Sequence, residues 1–455
     1  MLASDPPMAA APTSTLRHPA LSLWQSLLHR TLAPGEAGLH ASAEHPAMIA
    51  ATAAARALET GVTPLESEGN PLFAGAALYA RLVVARFERD HEAVAKIEDE
   101  LRFSIVDPLW AELLIQYERS RFSEAVDSYP RHATMDDFIL APMPDDVTIA
   151  LVADWATGTP SARAILEQIA TLQPDLVIHL GDVYFSGLPE EVRAHFIEIF
   201  DAVFGARWPR VLILAGNHDR YSGGRGFLDL LSKLDQPASY FCLQNQAFQI
   251  LAMDTGYHDR DPSRRRANVT ELEQTEIAYH LDKIQRFGGS RGTILLSHHP
   301  LFSSVGIGRT EGGYPIALNP KLHAALAAIL GEVSFWFWGH EHNLSLFEPY
   351  AGLARGRGIG SGAIPVLVEQ HPYIPAKGLV LPDGEAAPPT PIPGTQLGHD
   401  GTVYNHAFAV LRLEGTRATA SYYQSDTSGA EPGHAPPLGP PLFTETVTLP
   451  ARRER

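Results

Sequence analysis

The chain has 455 residues, of which 45% are hydrophobic and 19% charged, and its formal net charge is −17. This composition describes a folded globular protein of two or three domains, or of one large core with appendages, not a disordered one. The acidic balance argues against a nucleic-acid binder that works by phosphate neutralisation. The single cysteine, Cys242, leaves no partner for an intramolecular disulfide and no thiolate cluster. Any metal must then be held by Asp, Asn and His, a donor set that suits Mn, Fe or Zn.

The opening residues Met1-Leu2-Ala3-Ser4-Asp5-Pro6-Pro7 lack the basic start and apolar core of a secretory signal, and no apolar run is long enough to span a bilayer. The expectation is a cytoplasmic protein with no membrane partner. From about Leu16 to Tyr129 the pattern is helical. Leu72, Ala76, Tyr79, Val83 and Phe87 recur at three- and four-residue steps, and Val94, Ile97 and Leu101 continue the stripe. Phe87-Glu88-Arg89 with Glu92-Ala93-Val94 is echoed by Tyr117-Glu118-Arg119 with Glu124-Ala125-Val126, a hint of tetratricopeptide-type hairpins, though an ordinary α-helical domain is the simpler reading. Residues 1–140 are therefore assigned to an α-helical domain without visible chemistry, available to a protein partner. Ala141-Pro142-Met143-Pro144-Asp145-Asp146 reads as the linker that follows.

Composition changes at Val147. The apolar run 147–153 ends in Asp154-Trp155-Ala156-Thr157-Gly158, and a helix is predicted over 161–172. The strand 175–180 ends in Gly181-Asp182-Val183-Tyr184 and is followed by a helix over 190–204; the strand 210–215 ends in Gly216-Asn217-His218-Asp219. Alternation of this length means parallel βαβ units, and ligands of such sheets bind beyond the carboxyl ends of the strands. After a helix predicted over 269–284, the strand 293–297 leads into His298-His299-Pro300. The aromatic strand Phe335-Trp336-Phe337-Trp338 then leads into Gly339-His340-Glu341-His342. Two histidines one residue apart after a glycine can converge as metal ligands. Folding alone does not call for polar clusters at five strand ends, because a buried Asp or His costs several kcal/mol unless paired.

In order and content these motifs resemble the calcineurin-like metallophosphoesterase superfamily, which includes purple acid phosphatases, cyclic-nucleotide phosphodiesterases and phosphoprotein phosphatases. The resemblance covers about residues 147–366, and Gly216-Asn217-His218-Asp219 with Gly339-His340-Glu341-His342 is its most specific pair. It implies a two-sheet α/β/β/α sandwich and two divalent or trivalent transition-metal ions bridged by Asp182. One ion would be held by Asp154 and His342, the other by Asn217, His298 and His340. His298 is preferred to His299 because the family's ligand stands two residues before the proline. His218, oriented by Asp219, would protonate the leaving oxygen. Two divalent ions against Asp154 and Asp182 leave about two net positive charges facing a phosphate. They also lower the pKa of a bridging water, so that metal-bound hydroxide can attack phosphorus.

The first motif departs from the pattern. Ala156 stands where phosphodiesterase-like members place a metal-binding His, and Phe185 stands where purple acid phosphatases place a compensating tyrosine, with Tyr184 one residue earlier. The first metal site therefore reads as one protein ligand short, which puts its occupancy in question. Tyr184 reads as a packing or substrate-side residue, and a purple tyrosinate-to-iron band would show otherwise. Arg220 and Tyr221 are assigned to substrate binding, and Arg264-Arg265-Arg266 reads as a solvated basic run that could steer an anion. Asp254 reads as structural and His179 as a satisfied core histidine. His299 lines the site without touching a metal. Gly356, Gly358, Gly360 and Gly362 mark a strand whose backbone passes close to other groups.

The core domain is set at 145–370, and 371–403 reads as a proline- and glycine-rich loop or lid. Residues 404–455 supply terminal strands, a hairpin over 407–423 and a strand over 443–449, assigned to the second sheet. The function read from this sequence is hydrolysis of a phosphoric ester, on a phosphorylated small molecule or another phosphoester, with monoesters favoured. The alternatives are a phosphodiesterase acting on cyclic nucleotides or other diesters, and a partner-binding scaffold whose phosphoesterase site is degraded at Ala156.

Overall fold

The computed structural model describes residues 129–450 except 185, 261–268, 311–313, 367, 369–370, 402, 428–429 and 431–432, and in the front third 53–55, 57–58, 71–88, 90, 93–94 and 97. The chain divides into two compact units, Met1–Pro108 and Leu109–Arg455. In the first, the helix Pro71–Glu88 buries Leu78, Leu82 and Ala85 against Ile97, while Tyr79 of the predicted stripe is only half-buried. Ala76 of that stripe is buried, and the side chains of Leu72, Val83 and Phe87 lie outside the described residues. The tetratricopeptide-like echo and the Arg264-Arg265-Arg266 run fall mostly or wholly outside the described residues. No described helix is long and apolar enough to cross a membrane.

The strands of the second unit are β1 (Asp146–Val152), β2 (Leu176–His179), β3 (Arg210–Ile213), β4 (Phe241–Gln244), β5 (Phe248–Ala252), β6 (Gly292–Leu296), β7 (Val333–Trp338), β8 (Leu344–Leu346), β9 (Gly356–Ile359), β10 (His406–Glu414), β11 (Arg417–Ser425) and β12 (Phe443–Thr448). They form two six-stranded sheets, ordered β12-β11-β10-β1-β2-β3 and β4-β5-β6-β7-β9-β8. β1, β2 and β3 are parallel, as are β5, β6, β7 and β9. The two-residue alternation of β1 explains the layers. Ile149 and Leu151 face the other sheet, packing with Ile178, Ile250, Phe335 and Phe337. Ala150 and Val152 face outward onto Ile165, Ile169, Phe196 and Phe200. Those outer residues come from the helix Pro160–Thr171 and from a composite helix made of Pro189–Glu191, a π-helical stretch Val192–Ile197 and Glu198–Phe204. Across the second sheet, Trp336 and Trp338 pack with Tyr279 and Ile284 of helix Gln274–Phe287 and with Leu322 and Leu326 of helix Pro320–Leu326. The result is the α/β/β/α sandwich.

The terminal hairpin forms as predicted, turning at Gly415, but its strands extend the first sheet: β10 pairs antiparallel with β1 from Asp146↔Glu414 to Leu151↔Ala409. Alternating burial marks a strand without saying which sheet edge receives it. The predicted linker is likewise engaged. Leu140 N–H donates to Cys242 C=O (2.9 Å) and Met143 N–H to Gln244 C=O (2.9 Å), covering the edge of β4. Two side-chain bonds from Arg357 on β9 to Glu445 on β12 (2.6 and 2.7 Å) tie one sheet to the other, and Tyr422 OH also donates to Glu445 (2.8 Å). The glycines of the 356–362 stretch make room as predicted: a Cβ on Gly358 would stand 3.0 Å from Trp338 Nε1, and one on Gly362 2.8 Å from Trp155 Cβ. His179 is a core residue edge-on to Trp155 and Phe196, but its Nε2 has no partner, and burial holds its pKa down at about 4, so it stays neutral.

Cys242 lies in β4 with no exposed surface, and burial pushes its thiol up to about 12. The native protein should release no chromophore from an aromatic disulfide reagent at pH 8, and one equivalent once unfolded in guanidinium. Rapid native labelling would contradict this packing.

Candidate metal centre

The five polar clusters converge where the parallel strands of both sheets end. Asp154 follows β1, Asp182 follows β2, Asn217 and His218 follow β3, His298 follows β6, and His340 and His342 follow β7. Reaching this point distorts the backbone. Asp154, Asp182 and His340 have φ of 52°, 74° and 68°, in the left-handed region that residues other than glycine seldom occupy. Glycines clear the space. A Cβ at Gly216 would overlap the Asp182 carboxylate, and one at Gly339 would lie 2.6 Å from Asp154 Oδ2.

At one end of the cluster, His298 Nε2 lies 3.3 Å from Asp182 Oδ2, 3.2 Å from Asn217 Oδ1 and 3.3 Å from His340 Nδ1, while His340 Nδ1 is 2.9 Å from Asn217 Oδ1. His298 Nδ1 donates to Leu180 C=O (3.0 Å), which leaves Nε2 as the ligand nitrogen. The Asn217 amide is fixed by donation from Nδ2 to Tyr221 OH (2.7 Å), which aims its oxygen at the imidazoles. At the other end, His342 Nε2 is 3.5 Å from Asp154 Oδ1, and His340 N–H donates to Asp154 Oδ2 (2.8 Å).

Tyr184, read from the sequence as a packing or substrate-side residue, has its hydroxyl in the middle of the cluster. Its hydroxyl donates to Asp154 Oδ1 (2.9 Å) and Asp182 Oδ2 (3.2 Å) and lies 3.1 Å from His342 Nε2. These are the three groups assigned to the first metal. The phenol oxygen is thus within hydrogen-bonding distance of all three, close enough that it would join them around an ion. Backbone pairing puts it there: Ala156 and Val183 form a parallel bridge beyond the strand ends, and Tyr184 N–H donates to Ala156 C=O (3.0 Å). The backbone of Tyr184 is thus held beside Ala156, where the phosphodiesterase-like pattern has its histidine.

Electrostatics fit a cation. Asp154 and Asp182 are both buried. Burial alone would raise the Asp182 carboxyl, yet the charges of His298 and His218 hold it well below the usual carboxylate range. Burial likewise opposes charge on His298, but Asp182 and Asp154 outweigh it and push the imidazole up to about 9. That proton stands in for a cation: a metal at Nε2 would displace it and supply the positive charge that the two carboxylates demand. His340 stays neutral, lowered by burial and by His299 and His298, as a ligand must be.

Other assignments change. Arg220 is buried, its guanidinium paired with Asp254 Oδ2 (2.7 Å) and stacked on Phe227 and Tyr257, so it braces the loop and is not presented to substrate. Tyr221, also buried, serves Asn217. Asp254 is structural, as predicted. Asp219 acts through the backbone: its oxygens accept from the N–H groups of Asp182 (2.8 Å), Gly216 (2.8 Å) and Val183 (3.2 Å), joining two ligand loops. His218 is sandwiched between the rings of Tyr184 and Tyr221 at 4.5 and 4.8 Å, its own N–H donating to Asp182 Oδ1 (2.9 Å). His299 falls within ligand reach of His298 and His340, but its nitrogens face Thr255 Oγ1 (3.0 Å) and Asp259 Oδ2 (3.1 Å).

Residues 147–344 match the family model described as calcineurin-like phosphoesterase. A search of curated proteins gives no match. Among solved structures, the chain is similar to a purple acid phosphatase from yellow lupin (Lupinus luteus) seeds, with 14% identity, TM-score 0.42, and coverage of 68% of this chain and 55% of that one. It is also similar to PhoD (11% identity, TM-score 0.44, coverage 68% and 70%) and to Vps29 of Chaetomium thermophilum (10% identity, TM-score 0.28, coverage 68% and 100%). The chain thus spans about half the length of the lupin protein, 55%.

Replacing Asp219 by Ala strands three buried amide donors, at a cost of about 3 kcal/mol or more. Urea unfolding should show that loss together with weaker metal retention. A midpoint within error of the unsubstituted protein would remove the bracing role.

Proposed function

We propose, on the premise that residues 147–344 make this chain a phosphoester hydrolase of the calcineurin-like phosphoesterase family, that it cleaves phosphomonoesters at a two-ion centre. The observation that carries this reading is the convergence of Asp154, Asp182, Asn217, His298, His340 and His342 within hydrogen-bonding distances of one another. Asp182 lies between the two ends of the cluster and is assigned to both ions. Asn217, His298 and His340 hold one, and Asp154, His342 and Tyr184 hold the other. Tyr184 thereby fills the place that Ala156 leaves without a ligand. When bound, such ions supply positive charge against the phosphoryl oxygens and make a water acidic enough to serve as nucleophile near neutral pH. His218, held in place by the two flanking tyrosine rings, is assigned to protonate the leaving oxygen. The preference for monoesters rests on the Asp154 and Asp182 motifs, whose layout with a nearby tyrosine resembles purple acid phosphatases more than the diesterases. The metal is expected to be Mn, Fe or Zn.

The protein loaded with Mn²⁺ or Fe²⁺ should hydrolyse an aryl phosphate faster than a bis-aryl phosphate, and Asn217→Ala or His340→Ala should lower that rate on the order of a hundredfold or more. Faster diester cleavage would reverse the preference. No hydrolysis of either ester across metals and pH would sink the reading and favour a scaffold. Tyr184 has its own readout. Protein loaded with ferric iron should show a visible tyrosinate-to-iron band that Tyr184→Phe abolishes, with metal content falling towards one ion per chain. A colourless iron form, with both ions retained in the Phe variant, would return Tyr184 to a packing role.

A further inference from the structure

Four large hydrophobic residues are exposed among the described residues, and three of them, Tyr314 (59%), Ile374 (59%) and Val380 (42%), lie on two loops that border the metal centre. The fourth, Leu58, is in the other unit. The loops are joined to each other. Ala376 N–H donates to Ser304 C=O (2.9 Å), Val380 N–H to Pro315 C=O (2.8 Å) and Ala317 N–H to Val380 C=O (2.9 Å), while Gly378 packs under the Tyr314 ring. They are also joined to the ligand turn. Ser303 Oγ donates to Glu341, which stands between His340 and His342, and Asn343 Nδ2 donates to Pro372 C=O (3.3 Å). His340, Glu341 and His342 are the part-exposed members of the site, so the centre opens on the side where these loops attach. Half-buried Val305, Ile307 and Leu379 extend the apolar surface.

We infer that this rim is a substrate subsite, and that the protein acts on phosphoesters of apolar alcohols, alkyl or aryl, whose hydrocarbon lies across Tyr314, Ile374 and Val380 while the phosphoryl group reaches the metal centre. A cluster of exposed hydrophobics beside a polar site marks binding, not chance exposure. Continuity with the His340–His342 turn assigns it to the molecule being hydrolysed. This inference rests on the phosphoesterase reading and adds the substrate class to it.

The test separates the two. Binding of n-alkylphosphonates, from butyl to octyl, to the full metal-loaded chain is measured by calorimetry, and hydrolysis of the matching n-alkyl phosphates is followed by phosphate release. Each added methylene should tighten binding and raise kcat/KM roughly threefold until the rim is covered. The double substitution Ile374→Asn with Val380→Thr should flatten both series while leaving metal content and the thermal unfolding midpoint unchanged. A flat binding series in the unsubstituted protein, or an unchanged slope in the variant, overturns the subsite. Steep binding without hydrolysis of any ester would support the subsite and count against the phosphoesterase reading instead.

Discussion

Everything at the centre depends on holding two carboxylates side by side away from water. Asp154 and Asp182 both accept from the one Tyr184 hydroxyl, both are buried, and their ion-pair partners among the described residues are imidazoles. Like charges so placed repel unless cations intervene. That demand sets the architecture. The imidazoles come from the ends of β6 and β7 in one sheet and the carboxylates from β1 and β2 in the other, so the centre exists only when the two sheets pack face to face. The hydrophobic layer between the sheets, with Ile149, Ile178, Ile294 and Phe337 among its members, therefore does more than stabilise the fold. It fixes the distance between opposite charges.

Behind the ligands lies a second polar layer that holds the loop after β3. Arg220 pairs with Asp254, whose backbone N–H donates to Glu276 Oε1 (2.9 Å), and Glu276 accepts from Tyr129 OH and lies 3.1 Å from His280 Nε2. Chains of buried, hydrogen-bonded polar groups restrict a loop to one conformation more sharply than apolar contacts do. Together with the Asp219 clamp, they explain how backbone strained at Asp154, Asp182 and His340 persists.

The strands and the ligand motifs were readable because both reside in short, contiguous runs: an apolar stretch, then a glycine or a carboxylate at its end. The five strand ends that carry the motifs all fall at the centre in the structure. What could not be read depends on tertiary direction. Tyr184 stands one residue from the place a motif would give it, and only the Ala156–Val183 bridge turns its phenol inward. Arg220 and Tyr221 follow the His218-Asp219 pair in a loop, where sequence gives no side-chain direction, and both turn into the protein. Asp219 looks like a partner for an imidazole, whereas backbone amides, present at every position and so invisible to any motif, take both its oxygens. The edge that receives β10 is decided by the free side of β1, a property of the assembled sheet alone.

That last pairing has a consequence for how the protein is made. Gly415 N–H donates to Asp146 Oδ1 across 269 positions of chain, and all of β1 lies between β10 and β2. During synthesis at roughly 5–20 residues per second, the strand carrying Asp154 waits tens of seconds with one ladder edge unpaired. The loops that gather the metal ligands are thus supported on only one flank until most of the unit has left the ribosome. Non-local closure of this kind slows folding and lengthens the exposure of an apolar edge.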